Sequence, residues 1–294
     1  MKLVKKMLSL LLCITFLFSL TIVSSATDTD VSKNQKKLLS TIKISEYEML
    51  QQLQGQSIED LKEKGLTDTE IKEIKNFNYG DALKKRAATK NTKELESMGY
   101  SENDIEVLKD PNSSESELIA LSATITFSVW EYGHFLQSSL SEVYLQTDWS
   151  WDIWPTFGST DIVAICWSNN FYCNTNTQKP YETYAEVSYY DIGTTYRGNS
   201  KLTVIAETNL GAHVKIPLRK KIGNYECFAL NGYMQTYIQK KAYVPQMSVY
   251  AKYGHSTITI TPTVSFKGYP SIEFGSTMTE AAEDDEYIDL TVPY

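Results

Sequence analysis

Apolar and polar positions follow three different rhythms along this 294-residue chain. From Leu8 to Val23 almost every position is apolar, behind Lys2, Lys5 and Lys6 and ahead of Ser24-Ser25-Ala26. A positive start, an apolar run and a small-residue exit make a secretory signal peptide over 1–26, cleaved after Ala26. The polar Thr27-Asp-Thr-Asp30 that comes next favours cleavage over a retained anchor. No later segment is long and apolar enough to span a bilayer, so the expected product is secreted, with no membrane span in the mature chain.

The second rhythm is helical and covers 27–110, a stretch rich in Glu, Lys, Leu and Ile with no Trp and no Cys. Ser45-x-x-Glu48 reads as a capping box. Leu61 to Lys75 and Leu95 to Lys109 are two copies of one pattern. In each, a glycine (Gly65, Gly99) ends a helix where a left-handed conformation is sterically cheap. Thr67 or Ser101 then caps the next helix, answered three residues on by Glu70 or Asp104. Ile71 and Ile74, or Ile105 and Leu108, supply a narrow apolar stripe. Each copy predicts a helical hairpin. Residues 111–117, polar and marked by Pro111, read as a linker.

From Leu118 to Tyr294 the rhythm becomes period two. Leu145, Thr147, Trp149, Trp151 and Ile153 fall on one side, and Tyr144, Gln146, Asp148, Ser150 and Asp152 on the other, as a half-buried strand requires. Asp161 to Trp167 is apolar at nearly every position and predicts a strand covered on both faces. Further strand-like runs continue to the end, punctuated by Asn and Gly. The fold class expected is α+β by segments: a small helical region, then an all-β antiparallel sandwich or jelly-roll over 118–294. The polar linker and narrow helical stripes lead to the expectation that the β-domain folds without the helices.

A net charge of −8 disfavours nucleic acid as a partner, because phosphate backbones select basic surfaces. The short basic runs Lys84-Lys85-Arg86, Arg219-Lys220-Lys221 and Lys240-Lys241 read as solvated turns or helix ends. Cys166, Cys173 and Cys227 remain after the signal; an odd number leaves one bridge and a free thiol, or no bridge. Cys166 sits in the apolar run, so Cys173 is the better partner for Cys227. Three histidines are present, without His-Glu-x-x-His or Gly-x-Ser-x-Gly. His255 reads first as a hydrogen-bonded strand-entry residue, ahead of a base, a ligand or a dyad with Cys166 or Cys173. Asp148 and Asp152 lie about 13 Å apart at strand rise, outside glycosidase geometry. No catalytic residue, metal ligand or cofactor is assigned.

Aromatic residues carry the remaining signal. Trp149 and Trp151 share the apolar face and are expected in the core, whereas Trp130 and Trp154 fall among polar neighbours near strand ends. They are the candidate binding residues, as platforms for sugar rings or a partner surface. Trp149-Ser-Trp151 with Pro155, Asp161 to Trp167, and Tyr253-Gly-His-Ser-Thr-Ile-Thr-Ile-Thr-Pro262 resemble a loose group of uncharacterised secreted proteins of Gram-positive Firmicutes. These also carry a Gly-Tyr-Ser helical segment ahead of a β-domain. The resemblance implies the compartment and the two-part layout, and no activity. The functional expectation is a secreted, non-enzymatic β-sandwich protein that binds a cell-surface glycan or protein. The alternatives are a pore-forming toxin or bacteriocin-like protein, from the amphipathic alternation over Tyr233 to Phe266, and thirdly a polysaccharide hydrolase.

Overall fold

Short polar side chains set the helix starts. In the computed structural model, helices α1 (Glu46–Gly55), α2 (Ile58–Glu63), α3 (Asp68–Asn76), α4 (Tyr79–Thr89), α5 (Thr92–Ser97), α6 (Glu102–Lys109) and α7 (Glu115–Ile119) succeed one another. All but α4 begin with a capping box, at Ser45, Ser57, Thr67, Asn91, Ser101 and Ser114. Each cap satisfies amide donors that the first turn leaves unpaired, worth about 1 kcal/mol. Gly65 and Gly99 take φ of +88° and +102°, the left-handed exits read from the sequence. The structure describes residues 36–158, 160–175, 182–191, 195–207, 209–257, 263–275, 278–282 and 285–292; the expected signal peptide and Thr27 start lie outside the described residues.

The strands among the described residues are β1 (Lys37–Ser45), β2 (Thr124–Gln137), β3 (Leu140–Trp151) and β4 (Thr160–Trp167). Next come β5 (Tyr172–Cys173), β6 (Tyr184–Asp191), β7 (Tyr196–Leu202), β8 (Ile205–Glu207) and β9 (Gly211–Pro217). After them run β10 (Arg219–Ile222), β11 (Tyr225–Lys240) and β12 (Gln246–Ser256). The last are β13 (Val264–Gly268), β14 (Ser271–Phe274), β15 (Met278–Ala282) and β16 (Glu286–Asp289). One sheet runs β1-β2-β3-β11-β6-β7, with β5 and β10 also on β11; the second runs β15-β12-β4-β9-β8, with β16 on β12. Neighbouring strands in both are antiparallel, and a β13-β14 hairpin stands apart. This is the helical-then-antiparallel layout that the period change predicts.

The inner faces of the two sheets share one core. Trp149 and Trp151 lie in it, 2% and 3% exposed, with Val163, Ile165, Val214 and Tyr253 from the facing sheet. Gly232 stands opposite Trp149 in the ladder, where a Cβ would come within 2.4 Å of the indole. The glycine mid-strand makes room for the largest side chain. On the other face of β4, Ile162, Ala164 and Cys166 pack under Ile272 and Phe274 of the hairpin and Met278. That strand is covered on both faces, as its unbroken apolar run implies.

Two boundaries differ from the sequence reading. Lys37–Ser45, inside the segment expected to be helical, is an edge strand paired with β2. Residues 111–117 are not a spacer: Ser114 caps α7, and Leu118 is 1% exposed in the main core. Leu83, Leu95, Tyr100 and Ile105 join the same core, so helices and sandwich form one packed unit.

Candidate functional site

Three ionisable side chains meet in the interior where the helices join the sandwich. Glu46 is the first residue of α1, and its amide donates to Ala123 O at 2.7 Å. Asp161 is the second residue of β4 and His255 lies near the end of β12, brought together by the Gly254–Ile162 register. His255 Nε2 is 3.0 Å from Glu46 Oε1, and its Nδ1 is 3.0 Å from Asp161. All three are fully buried. Glu46 also accepts from Tyr79 Oη at 2.5 Å, Thr156 N at 2.7 Å and Phe157 N at 2.8 Å. Asp161 accepts from Tyr253 Oη at 2.5 Å and Ser256 N at 3.0 Å.

Burial opposes charge on His255, but the Asp161 and Glu46 carboxylates outweigh it and push its pKa up to about 10. Burial likewise opposes charge on Glu46, and the imidazolium with the Tyr79 and Phe157 donors overcomes it, holding this carboxyl below its usual range. Burial and the adjacent carboxylates drive the Tyr79 and Tyr253 phenols well up, so they stay protonated donors. The cluster is an ion-paired lock: both His255 nitrogens are engaged. Cys166 pairs with Tyr250, about 16 Å along β12 from His255 at strand rise. The cysteine–histidine dyad therefore does not form with Cys166, and Cys173 lies on the other sheet. Among the described residues, no group of His, Cys, Asp and Glu is arranged to hold a metal ion.

The outward face of the larger sheet carries aromatic and polar side chains in cross-strand rows. Register aligns Tyr184, Gln235, Gln146 and Trp130 in one cross-strand row, and Lys201, Glu186, Tyr233, Asp148 and Ser128 in the next. Tyr144 and Tyr237 stack beside them, rings 4.9 Å apart and 10° from parallel. Tyr184 and Tyr233 meet edge to face at 5.7 Å, hydroxyls 3.1 Å apart. Polar side chains are held between the rings: Gln146 donates to Asp148 at 2.5 Å, Tyr237 to Glu142 and Asn199 to Glu186. Burial raises the Asp148 pKa against the Gln146 bond and the nearby Lys36.

The two tryptophans singled out in the sequence are not brought together. Trp130 is half-buried on this outward face, with Lys36 Nζ 4.2 Å from its ring centroid. Trp154 is 7% exposed, stacked on Phe228 with centroids 5.0 Å apart, and its amide donates to Met98 O. Its expected place on a polar strand face is corrected. β3 ends at Trp151, and Asp152 turns the chain by accepting from the Thr124 and Ile153 amides, so the pleat's alternation stops short of Trp154. The Cys173–Cys227 bridge is also corrected. Cys173 faces position 238 of β11, about 36 Å along that strand from Cys227 at strand rise, and all three thiols are free. The other histidines lie apart from this cluster: His134 contacts Glu131 at 2.5 Å and Val292 O at 2.8 Å, and His213 is buried near Phe266.

No family model and no curated protein matches the chain. Among solved structures it is similar to Clostridium perfringens delta-toxin, at 8% identity over 58% of this chain and 86% of that one, with a TM-score of 0.22. The collagen binding domain of Erysipelothrix rhusiopathiae surface protein RspB matches at 10% identity over 57% and 64%, TM-score 0.20. The Clostridium perfringens NetB toxin in its membrane-inserted form matches at 9% over 61% and 85%, TM-score 0.17. Likenesses this distant carry no functional argument, which leaves the chain's own residues to carry it.

Proposed function

We propose that this is an exported, non-enzymatic binding protein that lays a glycan across the outward face of its larger sheet. The observation supporting this reading is the band of Trp130, Tyr144, Tyr184 and Tyr233, interleaved with Gln146, Gln235, Asp148 and Glu186. Sugar rings present C–H faces that pack on aromatic rings and hydroxyls that both donate and accept. Phenols, amides and carboxylates on a rigid sheet answer both needs. Lys36 already covers one face of Trp130, so stacking on this reading passes mainly to Tyr144 and Tyr233. Export rests on the amino-terminal lysine, apolar and small-residue pattern.

The test is a glycan array followed by titration of the best hit with Tyr144→Ala, Tyr233→Ala and Trp130→Ala. Each tyrosine change should weaken binding about tenfold, the equivalent of ~1.4 kcal/mol, with Tm nearly unchanged. If no glycan binds, or the variants bind as the parent does, the reading fails. Release of dye from liposomes by the intact protein would move the pore-forming alternative ahead.

A further inference from the structure

A cleft lies away from the tyrosine face and shares none of its residues. It has a volume of about 630 Å³ and opens between α4, the end of α5, the turn at Trp154–Thr156 and the β10–β11 hairpin. Its lining includes Lys85, Arg86, Lys90, Arg219 and a single carboxylate, Glu226, in a protein whose net charge is −8. Lys90 is neutralised by Glu94 at 3.0 Å. Arg86 is fixed by neutral acceptors: Nη1 donates to Tyr100 Oη and Trp154 O, both at 2.9 Å, and Nη2 to Pro155 O at 2.8 Å. Those bonds position the guanidinium without cancelling its charge and leave two of its five N–H donors over. Lys85 and Arg219 have no anionic partner among the described residues. Three uncompensated cations against Glu226 leave an excess of two positive charges.

Two further details describe the wall of the cleft. Trp154 lines the cleft and is 7% exposed, yet its indole N–H has no acceptor among the described residues. A buried donor left unmade costs about 1–3 kcal/mol unless something supplies an acceptor. The Arg219 guanidinium lies directly on Gly158, where a Cβ would sit 2.5 Å from Nε. The backbone there accommodates the arginine. We propose that this cleft binds a phosphate monoester carried on a small polar molecule of sugar size. A monoester phosphate bears a charge of about −1.5 to −2 at neutral pH, matching the excess, and three acceptor oxygens for the guanidinium and ammonium donors. The volume lies in the usual range for small-molecule sites.

The experiment is calorimetric titration of the full chain with glucose 6-phosphate, inorganic phosphate, glucuronate and glucose, with thermal melts alongside. Glucose 6-phosphate is expected to bind at one site and raise Tm, inorganic phosphate to bind more weakly, and glucuronate weaker still. Glucose should give no signal. Arg219→Gln and Lys85→Gln, both at exposed positions, should each weaken glucose 6-phosphate about tenfold or more, the loss of one charge-assisted hydrogen bond. Lys220→Gln, outside the cleft, should not. Affinity should fall as salt rises. Absence of binding by either phosphate, glucuronate binding as tightly as phosphate, or unchanged affinity in both cleft variants would overturn the proposal. Glycan binding at the tyrosine face should survive both cleft variants, so the two sites fail separately.

Discussion

Replacing Glu46 with alanine removes one carboxylate and strands four donors in a fully buried place. Oε1 accepts from Phe157 N and the His255 imidazolium; Oε2 accepts from Tyr79 Oη and Thr156 N. Breaking a buried ion pair from one side costs about 3–5 kcal/mol, since the remaining charge stays buried and unmatched. The three neutral donors add to this, but some cost overlaps as the site relaxes, so about 4 kcal/mol is expected. For a chain of this size each kcal/mol moves Tm by about 2–4 °C, which gives a drop of roughly 10 °C. Glu46→Gln should lose nearly as much, because either amide orientation turns an NH2 toward two donors. That comparison separates chemistry from volume. Urea melts followed by tryptophan emission suit the measurement, since Trp151 donates to Tyr253 at 3.2 Å and its ring lies 5.0 Å from that of His255. A Glu46→Ala loss under about 1 kcal/mol, the level of an exposed pair, would refute the claim that this cluster locks helices to sandwich.

Four other outcomes are expected. A chain from Leu118 to Tyr294, expected from sequence to fold alone, should lack a cooperative melt because it loses β1, Glu46 and the helical share of the core; a sharp transition in near-ultraviolet dichroism would contradict this. The folded pKa of His255, about 10, lies above the ordinary histidine value of 6.5, so its contribution is full below 6.5 and fades as pH rises through 10. Urea stability should therefore decline over that window, and His255→Gln should flatten the decline. Burial pushes Cys166 up to about 12 and Cys173 up to about 11, so native thiols should react slowly with an aromatic disulfide reagent, and mass spectrometry should find no Cys173–Cys227 bridge. Trp154→Ala should cost about 3–5 kcal/mol as a buried ring, and a neutral melt would contradict the stack on Phe228.

Features set by near neighbours are legible in the sequence. Ser45, Thr67 and Ser101 cap helices, Gly65 and Gly99 end them, and the alternation through Trp149 and Trp151 marks the core face. Each depends on residues only a few positions away. The features that escape a sequence reading depend on distant ones. β1 buries little beyond Ile44 and gains its strand character from pairing with β2, across seven intervening helices. Glu46 has the pattern of an acid favoured in a first helical turn, and nothing nearby signals that it is buried. Trp154 escapes because strand parity does not survive the turn at Asp152. Lys84-Lys85-Arg86 and Arg219-Lys220-Lys221 each look like solvated charge, yet Lys85, Arg86 and Arg219 line one cleft.

The pairing of Glu46 with His255 also sets a timetable. A chain leaves its ribosome amino end first at about 5–20 residues per second, so Glu46 appears roughly 10–40 s before the histidine 209 positions later. In that interval the helices can close their own caps, and Leu53, Leu61, Leu66, Ile71 and Ile74 can gather as a local cluster. The Glu46 carboxylate has no cation to meet it in the interior, and water remains its better solvent. Docking waits for β12. A stalled or prematurely terminated product lacking that strand never receives the charge that lets the first helix turn be buried, and it stays open to proteases. The chain must extend through β12 before its first helix turn is sealed.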